Sequence, residues 1–167
     1  TYISKQYGMG RFRRIFKDYE ETKQRLRKID FEDMLVMTLK LFEKYPDVLK
    51  KWQQKYKYIL VDEFQDVNDL QDTLFYVLSN REEKLFVVGD IKQSIYGFRG
   101  SNPDNFLNKK NRYVAVENAK EEDSKKIILS DNFRSRKGVC EAVNFFFSQL
   151  MAGQCGQIIY NEDERLN

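Results

Sequence analysis

The sequence predicts an α/β fold, parallel strands with flanking helices, preceded by a helical stretch. Two apolar runs carry the sheet: Tyr58-Ile59-Leu60-Val61 and Leu85-Phe86-Val87-Val88 are rich in β-branched and aromatic residues, as buried parallel strands are. Each run ends abruptly in acid, Asp62-Glu63 after the first and Gly89-Asp90 after the second. Between them Leu70, Leu74, Val77 and Leu78 recur at helical spacing. Strand, helix and strand of these lengths make a βαβ unit, right-handed by default. Ligands on such sheets sit at the strand C-termini, where Asp62, Glu63 and Asp90 all fall.

Taken in order, Phe12, Ile15, Phe16, Tyr19 and Leu26 predict a helix from Arg11 to Lys28. Its other face is rich in Arg and Lys, either a solvated surface or one that tracks phosphates. Asp30 reads as an N-cap with Asp33 at N3. The helix it opens has Phe31, Met34, Leu35, Thr38, Leu41 and Phe42 on one face and stops before Pro46. Asp47 can cap a short helix carrying Val48, Leu49 and Trp52. Beyond the first acids, Asn68 can cap the intervening helix, which ends near Asn80.

After the second strand, Gln93 to Gly100 is a polar-aromatic loop, and Asn102-Pro103 opens a short helix through Phe106-Leu107. Glu117 to Lys126 is a charged connector. Ile127-Ile128-Leu129 reads as a third strand. Ser135 can cap a last helix with Val139, Val143, Phe146, Phe147 and Leu150 inward. No element is assigned from Gly153 to Asn167.

Composition excludes several chemistries. The chain has no histidine, so it holds neither a Ser-His-Asp nor a Cys-His mechanism, nor a histidine-ligated metal. Cys140 and Cys155 lack metal spacing and suit a reduced, cytoplasmic compartment. No apolar run approaches the ~20 residues of a membrane helix. The start at Thr1 lacks an initiator methionine and reads as a segment of something longer. A net charge of +3 does not by itself announce a nucleic-acid binder.

Several residues then invite chemistry, each with a plainer alternative. Asp62-Glu63 can merely cap the next helix, or Asp62 can hold Mg²⁺ while Glu63 polarises an attacking water. Gln93 is either a surface amide or a sensor of a γ-phosphate. Tyr96 and Phe98, flanked by Arg99, are either core filler or a stacking platform for single-stranded nucleic acid. Arg134 is either a structural ion-pair partner or an arginine finger.

Together these stretches resemble the UvrD/Rep-like branch of superfamily 1 helicases. Val61-Asp62-Glu63-Phe64-Gln65-Asp66 is similar to motif II, Val88 to Gly100 to motif III, and Leu129 to Ser135 to motif IV. Asp30 to Leu35 resembles the helix that precedes motif II. Gly89 to Tyr96, Asn132 to Lys137 and Ile159 to Glu164 look most like the AddA family of AddAB-type helicase–nucleases. Gly97 to Asn102 reads instead like the simple UvrD/PcrA helicases.

The resemblance implies a partial RecA-like P-loop NTPase core using ATP and Mg²⁺. It implies residues 1–28 as the helical end of a 1B-like domain, 29–125 as the later half of a 1A motor domain, and 126–167 as the start of a 2A-like domain. Asp62 is implied as the Mg²⁺ ligand, Glu63 as the catalytic base, and Gln93 as the γ-phosphate contact that couples to DNA. Tyr96, Phe98 and Arg99 are implied to hold single-stranded DNA, Phe133 to stack on adenine, and Arg134 to act as the finger. The implied partners are single- and double-stranded DNA, the rest of a parent chain, and a second, AddB-like helicase/nuclease subunit. No Gly-x-x-x-x-Gly-Lys-[Ser/Thr] occurs, so the Walker A segment is lacking and this chain alone is expected to be inactive. A UvrD/PcrA-type repair helicase, or a non-catalytic DNA-binding module on the same scaffold, is the alternative.

Overall fold

A computed structural model describes residues 8–152 and 158–167. The elements are helix α1 (Met9–Leu26), α2 (Phe31–Lys44), α3 (Pro46–Lys55), strand β1 (Ile59–Val61), α4 (Asp69–Leu78), β2 (Leu85–Val87), α5 (Asp104–Arg112), β3 (Val114–Ala115), β4 (Lys125–Lys126) and α6 (Lys137–Leu150). Single 3₁₀ turns lie at Phe64–Asp66, Ile91–Gln93, Gly97–Arg99, Val116–Asn118 and Glu162–Glu164. The chain divides into two compact units: residues 1–59 with 73–84, and residues 60–72 with 85–167.

In the first unit the expected capping box is present. Asp33 N–H donates to Asp30 Oδ1 at 2.8 Å, and Asp30 N–H returns the bond to Asp33 Oδ2 at 3.0 Å. Lys23, on α1, reaches the same pair, 2.9 Å from Asp30 and 2.7 Å from Asp33, and also lies 2.8 Å from Glu20. The Lys23 hydrogen bond, then the Asp33 N–H, hold the Asp30 carboxyl down to about 2. Farther along, Gln53 Nε2 donates to Val77 O at 2.8 Å and Lys84 Nζ to Gln53 O at 2.9 Å, which ties α3 to the end of α4.

The expected apolar faces need correction. On α1, Ile15, Phe16, Tyr19 and Leu26 are exposed and the buried residue is Lys23. On α2, Phe42 is buried while Phe31, Met34 and Leu41 face solvent. Asp47 does not cap α3: Pro46 takes the first helical position, as its fixed φ allows, and Asp47 sits in the first turn.

The bonds between β1 and β2 advance in the same sense along both strands. Ile59 N–H donates to Lys84 O, Val88 N–H to Val61 O, and Phe64 N–H to Val88 O. The strands are not buried as a parallel sheet core would be: Leu60 is 71% and Phe86 57% exposed. Only two strands pair here, so among the described residues nothing covers that face.

In the second unit the packed centre is Phe64, wholly buried, with Val67 beside it in sequence. Phe106 from α5 meets the Phe64 ring at 5.9 Å, and the Lys109 ammonium lies 5.3 Å from that ring. Asn68 caps α4 as expected, in a reciprocal pair with Gln71 at 2.9 and 3.0 Å. Helix α5 begins later and runs farther than expected, with Asn102 Oδ1 accepting from Asp104 N–H at 3.2 Å.

Strand pairing beyond α5 falls outside the expected run. Val114 and Ala115 pair in parallel with Lys125 and Lys126, inside the charged connector, whereas Ile127, Ile128 and Leu129 are exposed and unpaired with any strand. Ser135 does not cap α6; Arg136 occupies that position, and Ser135 N–H is turned back to Asn132 Oδ1 at 2.8 Å. The buried face of α6 carries Cys140 and Asn144, while Val139, Phe146 and Leu150 are exposed. Cys140 is a free thiol, and Cys155 lies outside the described residues. The last segment does carry an element, the turn at Glu162–Glu164. No described helix is long and apolar enough to cross a membrane.

Candidate active site

The first strand delivers its acids into a sharp turn. Glu63 adopts a left-handed backbone (φ 50°), a conformation that costs a non-glycine residue of order 1–2 kcal/mol. Glu63 N–H donates to Asp62 Oδ1 at 2.9 Å, which fixes the acids relative to each other. Both side chains are exposed. The remaining Asp62 oxygen makes no hydrogen bond or ion pair with the described residues, so it is free to serve a cation.

Magnesium usually takes only one or two protein carboxylates, with waters and phosphate oxygens completing its shell. A single available carboxylate oxygen at the strand end fits that donor chemistry. Among the described residues no group of three acidic or thiol side chains converges on a metal.

Behind the acids stands a residue that sequence reasoning missed. Gln65 is 1% exposed, and its amide is fully used. Nε2 donates to Glu63 Oε2 at 2.8 Å, and Oε1 accepts from Asp90 N–H at 2.9 Å. Space for this amide depends on Gly89: a β-carbon there would lie 2.5 Å from Gln65 Oε1 and 3.1 Å from Phe64 N. A glutamine flanked by Phe64 and, two residues on, Val67 was the available signal, because a polar side chain within a buried run needs partners.

Asp90 carries the connection onward. Its Oδ1 accepts from Lys92 N–H at 3.0 Å and its Oδ2 from Gln93 Nε2 at 3.1 Å. The Lys92 ammonium lies 2.9 Å from Oδ1. Burial pushes the Asp90 carboxyl up, but the bonds from Lys92 and Gln93 outweigh it and leave the group below its ordinary range. Glu63 and Gln93, far apart in sequence, therefore belong to one hydrogen-bonded run through Gln65 and Asp90.

Tyr96, Phe98 and Arg99 form a second cluster. The two rings meet at 5.9 Å, and the Arg99 guanidinium lies 5.4 Å from Tyr96 and 5.6 Å from Phe98. Phe98 is 80% exposed, so it is not core filler. Gly100 closes this turn at φ 83°, a conformation glycine accepts freely. Asn102 anchors its far side, donating from N–H to Val67 O at 3.0 Å and from Nδ2 to Asp69 at 2.8 Å.

Phe133 and Arg134 stand apart. Phe133 is 95% exposed, Arg134 is exposed, and neither side chain bonds to the acids or to Gln93. Their turn is ordered by Asn132, whose Oδ1 accepts from the N–H groups of Arg134 at 2.9 Å and Ser135 at 2.8 Å.

Residues 3–114 match the family model described as the UvrD/REP helicase N-terminal domain. The chain belongs to the UvrD/REP helicase family. Within that family it is 42% identical, over 89% of its length, to the AddA-type ATP-dependent helicase/nuclease protein of Clostridium novyi (strain NT). It is 40% identical, again over 89%, to the protein of that name from Natranaerobius thermophilus. The ATP-dependent DNA helicase PcrA of Leuconostoc citreum is 38% identical over 78% of the chain. The chain spans only 12%, 12% and 16% of these relatives, respectively.

Proposed function

We propose that this chain is the part of an ATP-dependent DNA helicase that holds the hydrolytic acids and passes the state of the nucleotide to single-stranded DNA. In this reading residues 29–125 are the later half of a RecA-like 1A motor domain, 1–28 the end of a 1B-like domain, and 126–167 the start of a 2A-like domain. The observation that carries it is the run Glu63–Gln65–Asp90–Gln93, which links a candidate base to a candidate phosphate sensor. The AddA-type helicase/nuclease relatives support a parent of that type, with DNA as substrate and a second subunit as partner. Placement in the bacterial cytoplasm follows from the same reading.

Bound at Asp62, Mg²⁺ would neutralise the charge that develops on the phosphates of ATP. Glu63, steadied by Gln65, orients the attacking water and takes its proton at the carboxylate. Gln93 offers its amide to the terminal phosphate, and its retreat after hydrolysis is felt three residues on, at Tyr96. Phe98 and Tyr96 stack on bases beside the Arg99 cation, a sequence-tolerant grip. Phe133 gives a face for adenine and Arg134 a charge for the transferring phosphoryl group. The sequence has no phosphate-cradling lysine loop, so the chain by itself turns over no ATP.

Steady-state ATP hydrolysis by the parent protein, with and without single-stranded DNA, tests this. Glu63→Gln is expected to abolish turnover while ATP binding persists; retained kcat removes Glu63 from the role of base. The similarity to a PcrA favours a second reading, a simple repair helicase as parent, and DNA cleavage by the purified parent distinguishes the two.

A further inference from the structure

Glu164 is 8% exposed and clasped by two lysines. Lys92 Nζ lies 2.7 Å from Oε2, and Lys110 Nζ bonds to Oε1. Burial pushes the carboxyl up, but the Lys110 and Lys92 ammoniums outweigh it and hold the group ionised below its ordinary range. Lys92 is held in turn: burial lowers it, and its bonds to Glu164 and Asp90 raise it further. Because Lys92 also bonds Asp90, and Asp90 accepts from Gln93, the Glu164 carboxylate stands two links from the Gln93 amide.

Three residues later the chain makes a different connection. Asn167 N–H donates to Ser130 O at 3.0 Å, and Asn132 N–H donates to Asn167 O at 2.9 Å. Those bonds grip the turn in which Asn132 Oδ1 orders Arg134 and Ser135. Between the two ends Leu166 is fastened to α6, its N–H donating to Asn144 Oδ1 at 2.9 Å and its carbonyl accepting from Asn144 Nδ2 at 2.8 Å. Tyr160 adds its hydroxyl to the same Asn144 oxygen at 2.6 Å.

We propose that Glu164–Asn167 is a positioning strap that fixes the Asp90–Gln93 turn and the Asn132–Arg134 turn to each other, with Glu164 the residue that sets Gln93. It deepens the proposed function, resting on the roles given there to Gln93 and Arg134. Glu164 touches no reacting atom in this scheme; it acts through Lys92 and Asp90. A short, anchored segment with an ion pair at one end and backbone bonds at the other transmits displacement with little slack. A shift of the Arg134 turn is then felt at Gln93, and the reverse.

The test uses the full-length parent and two readouts. Amide hydrogen exchange at Lys92 and Gln93, whose N–H groups bond Asp90, reads positioning without turnover. Glu164→Gln is expected to speed exchange there about tenfold or more, the scale of one lost charge-assisted bond, and Glu164→Asp to restore most of it. DNA-stimulated kcat should fall while KM for ATP is unchanged, and Glu164→Gln combined with Gln93→Ala should be no worse than Gln93→Ala alone. Unchanged exchange, or losses that multiply in the double variant, overturns the strap. Should Glu164→Gln not fold, Lys92→Met breaks the same link from the other end, with Glu164 still on Lys110, and is judged by the same exchange. If Glu63→Gln leaves turnover intact the proposed function has failed, while the exchange experiment still decides the strap.

Discussion

Gln65 Oε1 accepts the backbone N–H of Asp90 at 2.9 Å, joining the end of one strand to the end of the next through a side chain wholly removed from water. Replacing it by leucine keeps the volume but leaves a backbone donor without its partner. Gln65→Leu should cost about 1–3 kcal/mol of folding stability, read from urea unfolding. In the parent it should also lower kcat more than it raises KM, since Glu63 loses the side chain that steadies it. A stability unchanged within error would mean the amide is dispensable.

Gly89 faces that amide at a distance no β-carbon tolerates. Gly89→Ala should therefore destabilise the chain by about 1–3 kcal/mol, as overpacking does. Thermal melting of the two proteins side by side checks this. The double variant Gly89→Ala, Gln65→Ala should recover part of the loss, because the clash is mainly with the glutamine oxygen.

Acid sensitivity should be concentrated at Asp30. Its carboxyl is held at about 2 against an ordinary 3.8, chiefly by the Lys23 hydrogen bond and then by the Asp33 N–H. A lowered carboxylate contributes stability that is complete above its unfolded value and is lost as pH falls through its folded one. Asp30→Asn retains a cap but not the charge. The gap between its urea midpoint and that of the wild type should stay constant above roughly pH 5 and shrink between about pH 4 and 2.

Much of the local structure was legible. Asp30 with Asp33, and Asn68 ahead of the second long helix, were readable as helix starts because a short polar side chain has few other uses there. Periodicity gave the helices but misjudged what covers them. Val139, Phe146 and Leu150 form an apolar line on α6, yet Asn144 is the residue buried on that helix, satisfied by Tyr160 and Leu166. Ile127 to Leu129 has the composition of a strand and no strand to pair with among the described residues. The acids, Gln93 and the Tyr96–Arg99 cluster could be singled out by residue type. Gln65 and Lys92 could not, because their work depends on neighbours distant in sequence.

Phe98 offers the most exposed ring of the loop that follows Gln93. In the parent, Phe98→Ala should weaken single-stranded DNA binding about tenfold, within the ~1–3 kcal/mol that stacking on one base supplies. Titration of labelled DNA by anisotropy at two salt concentrations measures it. The salt slope should be unchanged, since no cation is removed.

Arg134 separates chemistry from architecture in one substitution. Arg134→Ala should cost at least ~100-fold in kcat if the guanidinium reaches a transferring phosphate. A loss of tenfold or less assigns it to structure.

The open face of the β1–β2 ribbon has a practical consequence for anyone handling the chain. Leu60 and Phe86 present two bare apolar side chains next to backbone edges that can accept another strand. Such a surface makes solubility a function of concentration: dilute samples stay clear, and scattering climbs steeply as molecules find one another. Sulfate should bring that threshold down and modest urea should lift it, at denaturant levels well short of unfolding. Threonine at both positions keeps strand propensity and should move the onset of scattering to higher protein concentration.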